Sequence, residues 1–366
     1  MSASGRSESE SDAQDTPPRA AGRVLRTQTG ARRAVKRTAW AGLLVAALSL
    51  PSLGPVCAPV LEPRADTLTI GAYSVVREAL HEAILPAFAA HWRRQTGRPV
   101  RFEESYNASG AQARAIVSGF DADVAILSLE GDMDLLVKAG LVRKGWKDGP
   151  GRGMVTRSLV VIGHRAGNPR RIRDWDDLAR PGVGVLYPDP KTSGGARWNI
   201  NAIYGAALRR PGADRATARD FLARVQANVV NMDASGRQSM ATFTRGTGDA
   251  VVTYENEILL RRKMTGEDLP YVVPPATLLI ESPAAVVDAS TRRHGNRALA
   301  EGFLGFLRSA EGQRILASYG FRSLVEPVPA GVFTMADLGG WGRIKKEVYD
   351  PGGVWDQVFT GRAGEE

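Results

Sequence analysis

Cysteine and histidine are scarce: the 366-residue chain has one of the first, Cys57, and four of the second. A lone thiol closes no disulfide within the chain and builds no thiolate metal cluster. His81, His91, His164 and His294 lack metal-ligand spacing and read as helix-surface or cap residues. There is no Gly-x-Ser-x-Gly elbow. Three Gly-x-Gly pairs, at 151/153, 182/184 and 246/248, miss the third glycine of a dinucleotide fingerprint, its place being taken by Thr156, Tyr187 and Val251. Lys191 precedes the nearest glycines instead of following them, which excludes a Walker A loop. The adjacent acids Glu103-Glu104 and Asp176-Asp177 do not face each other and read as solvated faces. No catalytic constellation, metal or cofactor is expected. Lys and Arg outnumber Asp and Glu 48 to 39, a net charge of +9, yet the two signs are interleaved, so no nucleic-acid partner is expected.

What is present divides at about residue 66. Residues 1–26 are polar and rich in Ser, Glu, Arg and Pro, a composition that buries too little apolar surface to order itself. A basic cluster over 32–37 follows, then the apolar run AWAGLLVAALSL over 39–50, ended by Pro51. That run is short for a permanent span and suits an export signal, so residues 1–66 are expected to be a disordered N-terminus with an export signal, and the product to be periplasmic or otherwise outside the cytoplasm. Arg32-Arg33 leaves the twin-arginine route open. Cys57 stands where a lipid anchor would attach, although Gly54-Pro55-Val56 matches a lipobox poorly, and a membrane tether stays open.

With 43% apolar residues over the whole chain, the remainder is long enough for two lobes. Strand-like and helix-like segments alternate, which predicts an α/β fold with a largely parallel sheet. Strands are predicted over 68–73, 100–105, 122–127, 158–164, 183–187, 228–232 and 250–254. Leu80, Ile84, Phe88 and Trp92 recur every fourth residue on one helical face, with Pro86 kinking or restarting that helix. Further helices are predicted from Gly110, over 133–139, at 175–178, from Asn256 and over 296–319.

Small-residue loops recur between strand and helix: 106–110, 192–195 and 234–236. A helix start carries unpaired N–H groups and partial positive charge, and glycine lets an anion come close to them. Several such turns converging on one cleft would hold an oxyanion with neutral donors alone. At roughly 1.5–3 kcal/mol per hydrogen bond to a charged group, a handful gives about −8 kcal/mol, a micromolar site. Each loop taken singly is equally an ordinary helix cap.

The stretch PDPKTSGGARWN, residues 188–199, resembles the PNPKTSGGARWN signature of the sulfate-binding proteins that serve sulfate ABC transporters. The blocks over 107–124, 164–185, 248–260 and 309–322 and the Gly-Gly-Trp at Trp341 are similar to that family in the same order, over nearly all of residues 67–359. The resemblance implies a type II periplasmic-binding-protein fold: two α/β lobes, residues 67–157 with 284–366 and residues 158–283, joined by crossing hinge strands. It implies a monomer that closes over sulfate or a related oxyanion such as thiosulfate and passes it to a membrane permease with its ATPase, without chemistry. Ser193 is then expected to offer its hydroxyl, Gly194, Gly195 and Gly236 their N–H groups, with Ser109 across the cleft. Ser74 falls where the family usually has aspartate and would act through its main-chain N–H. Tyr254 replaces a tryptophan; its phenol accepts as well as donates, which loosens the rejection of protonated anions. An exported ester hydrolase and an anion sensor for a membrane kinase are the other readings the residues leave open.

Overall fold

Residues 66–360 are described by the computed structural model; the export segment, the tail before it and Cys57 lie outside them. Among the described residues ten strands share one sheet: β1 (Asp66–Tyr73), β2 (Val100–Asn107), β3 (Val124–Ile126), β4 (Met154–His164), β5 (Val185–Leu186), β6 (Val229–Asn231), β7 (Ala250–Tyr254), β8 (Tyr271–Val272), β9 (Thr277–Val286) and β10 (Val332–Phe333). The main path is β2-β1-β3-β9-β4-β7-β5-β6, with β10 on β9 and β8 on β4.

β1 pairs in parallel with β2 and β3 in one half, and β5 with β6 and β7 in the other. Between them run β4 and β9, antiparallel to each other. β9 pairs with β3 through residues 284–286 and with β4 through 279–283, while β4 continues onto β7 through 160–164. The expected, largely parallel sheet is therefore mixed. A chain that leaves one half and comes back must run in opposite directions at the join. β9 is also the strand the sequence hid, because Pro283 interrupts its apolar run. That proline sits where the β4–β9 register shifts, a place that needs no N–H, and its carbonyl accepts from Leu127 N–H at 2.9 Å.

Interior strands are apolar on both faces, as covered parallel strands must be: every residue of β3 and β7 is buried. On the predicted helical face Leu80, Ile84 and Phe88 are buried, and Phe88 meets Phe303 with ring centroids 5.1 Å apart. Pro86 neither ends nor restarts the helix: the backbone stays helical as the π-helical segment Leu80–Ile84 passes into Leu85–Thr96, and the wider π turn before it accommodates the missing N–H. The helix predicted over 296–319 is two, Arg297–Arg308 and Ala310–Ala317. Ser309 breaks it by capping the second, its hydroxyl oxygen accepting from Gly312 N–H at 3.1 Å.

Residues 332–360, grouped with 284–331 in the expected first lobe, pack against β9 and the helix Gly194–Leu208. β10 extends β9 at Thr277–Leu278. Trp341 meets Trp198 edge-on at 5.0 Å, and Tyr349 donates to Asn201 Oδ1 at 2.9 Å. Tyr204 donates to Glu347 at 2.7 Å. All three partners lie on the helix Gly194–Leu208. The physical reason is burial: that helix is covered nearly all round, and the returning C-terminal segment covers the face the sheet leaves open.

Candidate functional site

Six chain segments turn at the C-terminal ends of β1, β2, β3, β5, β6 and β7, the edge at which open α/β sheets bind ligands. β1 ends at Tyr73, and the chain becomes helical at Ser74. β2 ends at Asn107; Ala108 precedes the helix Ser109–Val117. Ser128 follows β3 just before the helix Glu130–Lys138. Ser193 and Ser235 cap the helices Gly194–Leu208 and Gly236–Thr244. Tyr254 closes β7 and precedes the helix Glu255–Thr265. The sequence dictates most of these turns, since the apolar run of a strand gives out at a Ser or Ser-Gly step suited to opening a helix.

The turns meet around one small cavity of about 10 Å³, walled by Tyr73, Ser74, Val75, Ala108, Ser109, Ser128, Ser193, Gly195, Ser235, Gly236 and Tyr254. No wall residue is charged. Volume on the scale of one water-sized sphere suits a compact guest and excludes a sugar or nucleotide. Helix starts at Ser109, Gly194 and Gly236 aim their first N–H groups and dipole ends at this end of the sheet.

Hydroxyl chemistry refines the expectations. Ser193 Oγ accepts from Ala196 N–H at 3.4 Å and Ser235 Oγ from Gln238 N–H at 3.2 Å, which leaves each hydroxyl hydrogen to donate elsewhere. Ser109 is different: its Oγ donates to Asp132 Oδ2 at 2.5 Å and accepts from Ser128 N–H at 2.8 Å. What Ser109 can offer a guest is its main-chain N–H. Ser128 Oγ and Tyr254 OH share one hydrogen bond of 2.6 Å, so the pair keeps one hydrogen for the cavity and can reverse its direction. Burial drives the Tyr254 phenol well above its usual pKa, and Tyr73 is pushed up to about 12 by the same cause, so both stay protonated donors.

Six of the seven residues singled out from sequence line the cavity: Ser74, Ser109, Ser193, Gly195, Gly236 and Tyr254. Gly194 does not. It stands where the two halves touch, and a Cβ there would lie 2.8 Å from Ser128 Oγ, 2.9 Å from Ser128 Cβ and 3.0 Å from Leu129 Cδ2. Ser128 and Ser235 were missed. Ser235 lay inside a flagged loop beside its glycine, and Ser128 has the same strand-serine-helix order without any glycine to draw notice.

Charges stand behind the wall, and two of their pairs, Asp132–Arg197 and Glu78–Arg237, span the halves. Asp132, 1% exposed, has Arg197 Nη1 at 3.8 Å; burial raises its pKa and Arg197 opposes that rise. Arg237 bridges Glu78 at 2.7 Å and Glu257 at 2.9 Å. Burial pushes Glu257 up to about 7, against the pull of Arg237. Neutral links also cross: Gly110 N–H donates to Thr192 O at 3.1 Å, and Trp198 Nε1–H to Ser128 O at 2.9 Å. Among the described residues no His, Cys, Asp and Glu cluster has metal-site geometry.

A profile of the family described as bacterial extracellular solute-binding protein matches residues 68–322. The chain belongs to that family. Within it, this solute-binding protein is 40% identical over 309 residues to a sulfate-binding protein of Synechococcus elongatus, covering 81% of this chain and 87% of that one. A thiosulfate-binding protein of Pseudomonas aeruginosa is 32% identical over 340 residues, 89% of this chain and 99% of that one. The solved sulfate-binding protein SubI from Mycobacterium tuberculosis superposes with a TM-score of 0.72 at 38% identity, covering 78% of this chain and all of that one. The solute-binding protein therefore has the type II periplasmic-binding-protein fold. Among its described residues no helix is long and apolar enough to cross a membrane.

Proposed function

We propose that this protein captures sulfate in the cavity between the two halves of its sheet and delivers it to an ABC importer. One observation carries the reading: serine hydroxyls, a buried tyrosine and several helix starts converge on a cavity whose wall holds no charged side chain. Sulfate at neutral pH has no proton to give, so a cage of donors satisfies every oxygen. Hydrogen phosphate would set a hydroxyl against a donor, a mismatch worth roughly 1–3 kcal/mol. The Ser128–Tyr254 pair tempers that rejection by turning one acceptor inward. Ser74, Ser109, Gly195 and Gly236 would act through main-chain N–H groups, Gly194 through its N–H at the same helix start, and Ser193 and Ser235 through hydroxyls.

In this reading the lobes are residues 66–157 with 284–325, and 158–283 with 332–360. They hinge on β4 and β9, and the guest favours closure because it bonds to both. The protein works as a monomer outside the cytoplasm, performs no reaction, and docks its closed form on a membrane permease with its ATPase. Thiosulfate is the second reading, favoured by the relative named for it, although the relative named for sulfate is more alike at 40% against 32%.

Calorimetry with sulfate, thiosulfate, molybdate and phosphate tests this. Sulfate is expected to bind at about micromolar or tighter and phosphate roughly tenfold or more weakly. Absence of sulfate binding below about 1 mM would refute it.

A further inference from the structure

A second groove, of about 310 Å³, shares no residue with the sulfate cavity. It runs beside the end of β9, past Val286 and Leu304, with the buried indole of Trp146 in its wall. The indole is held in place by a backbone arrangement that admits only glycine: at Gly153, with φ of +80°, a Cβ would fall 2.5 Å from the ring.

Three arginines line this groove with two acids. Arg297 pairs with both acids, Asp288 at 2.6 Å and Glu301 at 2.9 Å. Arg308 has no carboxylate partner among the described residues. Its one hydrogen bond is from Nε to the carbonyl of Met154 at 3.3 Å, which leaves the outer edge of the guanidinium fork unbonded. Half-burial without an acid lowers its pKa, the mark of a cation whose desolvation nothing opposes. The side chain of Arg143 likewise bonds to no acid, although its main-chain N–H donates to Asp288 Oδ2 at 2.8 Å. Three cations against two acids leave the groove one positive charge over.

We infer that this groove is a second binding site, for an organic monoanion: a carboxylate seated on Arg308 and Arg143, with a flat apolar body along Trp146, Val286 and Leu304. A carboxylate matches the planar fork, whereas a dianion would exceed the single surplus charge and face Asp288 and Glu301. Recognition here is by full charges and apolar contact, the opposite of the neutral cage in the cleft, which is too small for such a guest. The inference does not depend on which anion fills the cleft.

Benzoate is the test ligand, titrated calorimetrically into protein already saturated with sulfate. One site per chain is expected, with a dissociation constant on the order of 1 mM or tighter. Arg308→Gln and the exposed Arg143→Gln should each weaken it roughly tenfold or more, while sulfate affinity, measured on the same samples, stays at the parent value and reports that both variants are folded. Benzamide, of the same shape without charge, should not bind. Absence of saturable benzoate binding, unchanged binding in both variants, or benzamide binding as tightly as benzoate would each overturn the inference.

Discussion

Gly194→Ala separates closure from folding. The added methyl would meet Ser128 Oγ at 2.8 Å and Ser128 Cβ at 2.9 Å, both nearer than real Cβ contacts allow, and Leu129 Cδ2 at 3.0 Å, which is tight. The Ser128 atoms do not yield easily, because Ser128 is fixed by its N–H to Ser109, its carbonyl to Trp198 and its hydroxyl to Tyr254. Every clash lies across the join, so the methyl is harmless when the halves are apart and obstructive when they meet. Overpacking of this kind costs about 1–3 kcal/mol, which predicts sulfate binding roughly 5- to 150-fold weaker. Alanine at a helix start does not disfavour the helix, so the melting temperature of the unliganded protein should hold or rise slightly. Calorimetry and a thermal melt without sulfate measure the two quantities. Unaltered affinity, or a lower melting temperature without sulfate, would refute the placement of Gly194 at the closing contact.

Tyr254→Phe leaves the buried Ser128 hydroxyl without its partner at 2.6 Å and should weaken sulfate binding by about 1–3 kcal/mol, read by the same calorimetry. Because burial holds Tyr254 above its usual pKa and Tyr73 at about 12, sulfate affinity should stay flat from neutral pH to about 10; a fall centred between 8 and 9 would contradict donation by protonated phenols. Glu257 binds its proton up to about pH 7 in the folded chain but only to its ordinary value of 4.5 when unfolded. Ionising it inside the fold is therefore unfavourable: stability should decline as pH rises from 4.5 to about 7 and then level off. Glu257→Gln should flatten that stretch of the denaturation profile.

The sequence disclosed the cavity better than the join. Ser193, Gly195 and Gly236 announce themselves because a cap must sit at a fixed offset from the helix it opens, whereas Tyr254 is legible only through the resemblance, as the residue standing where that family has tryptophan. Other features depend on tertiary contacts that leave little local trace. β9 carries Pro283 at a register shift, and so has no clean period of its own. The hydroxyl of Ser109 is turned away by Asp132, a residue 23 positions later. Residues 332–360 track the face of the helix Gly194–Leu208 that the sheet leaves open, a preference set by what that helix leaves uncovered.

That C-terminal return has a mechanical consequence. On the lobe division proposed above, the polypeptide passes between the halves three times: along β4, along β9, and through residues 323–331, where the bridge of Arg157 to Arg322 gives way to β10. Two straps would let one body twist as well as swing, whereas a third resists torsion and leaves mainly one axis of rotation. The empty receptor should thus sample a narrow arc of gape angles, and spin labels placed across its mouth would report one well-defined separation rather than a broad spread.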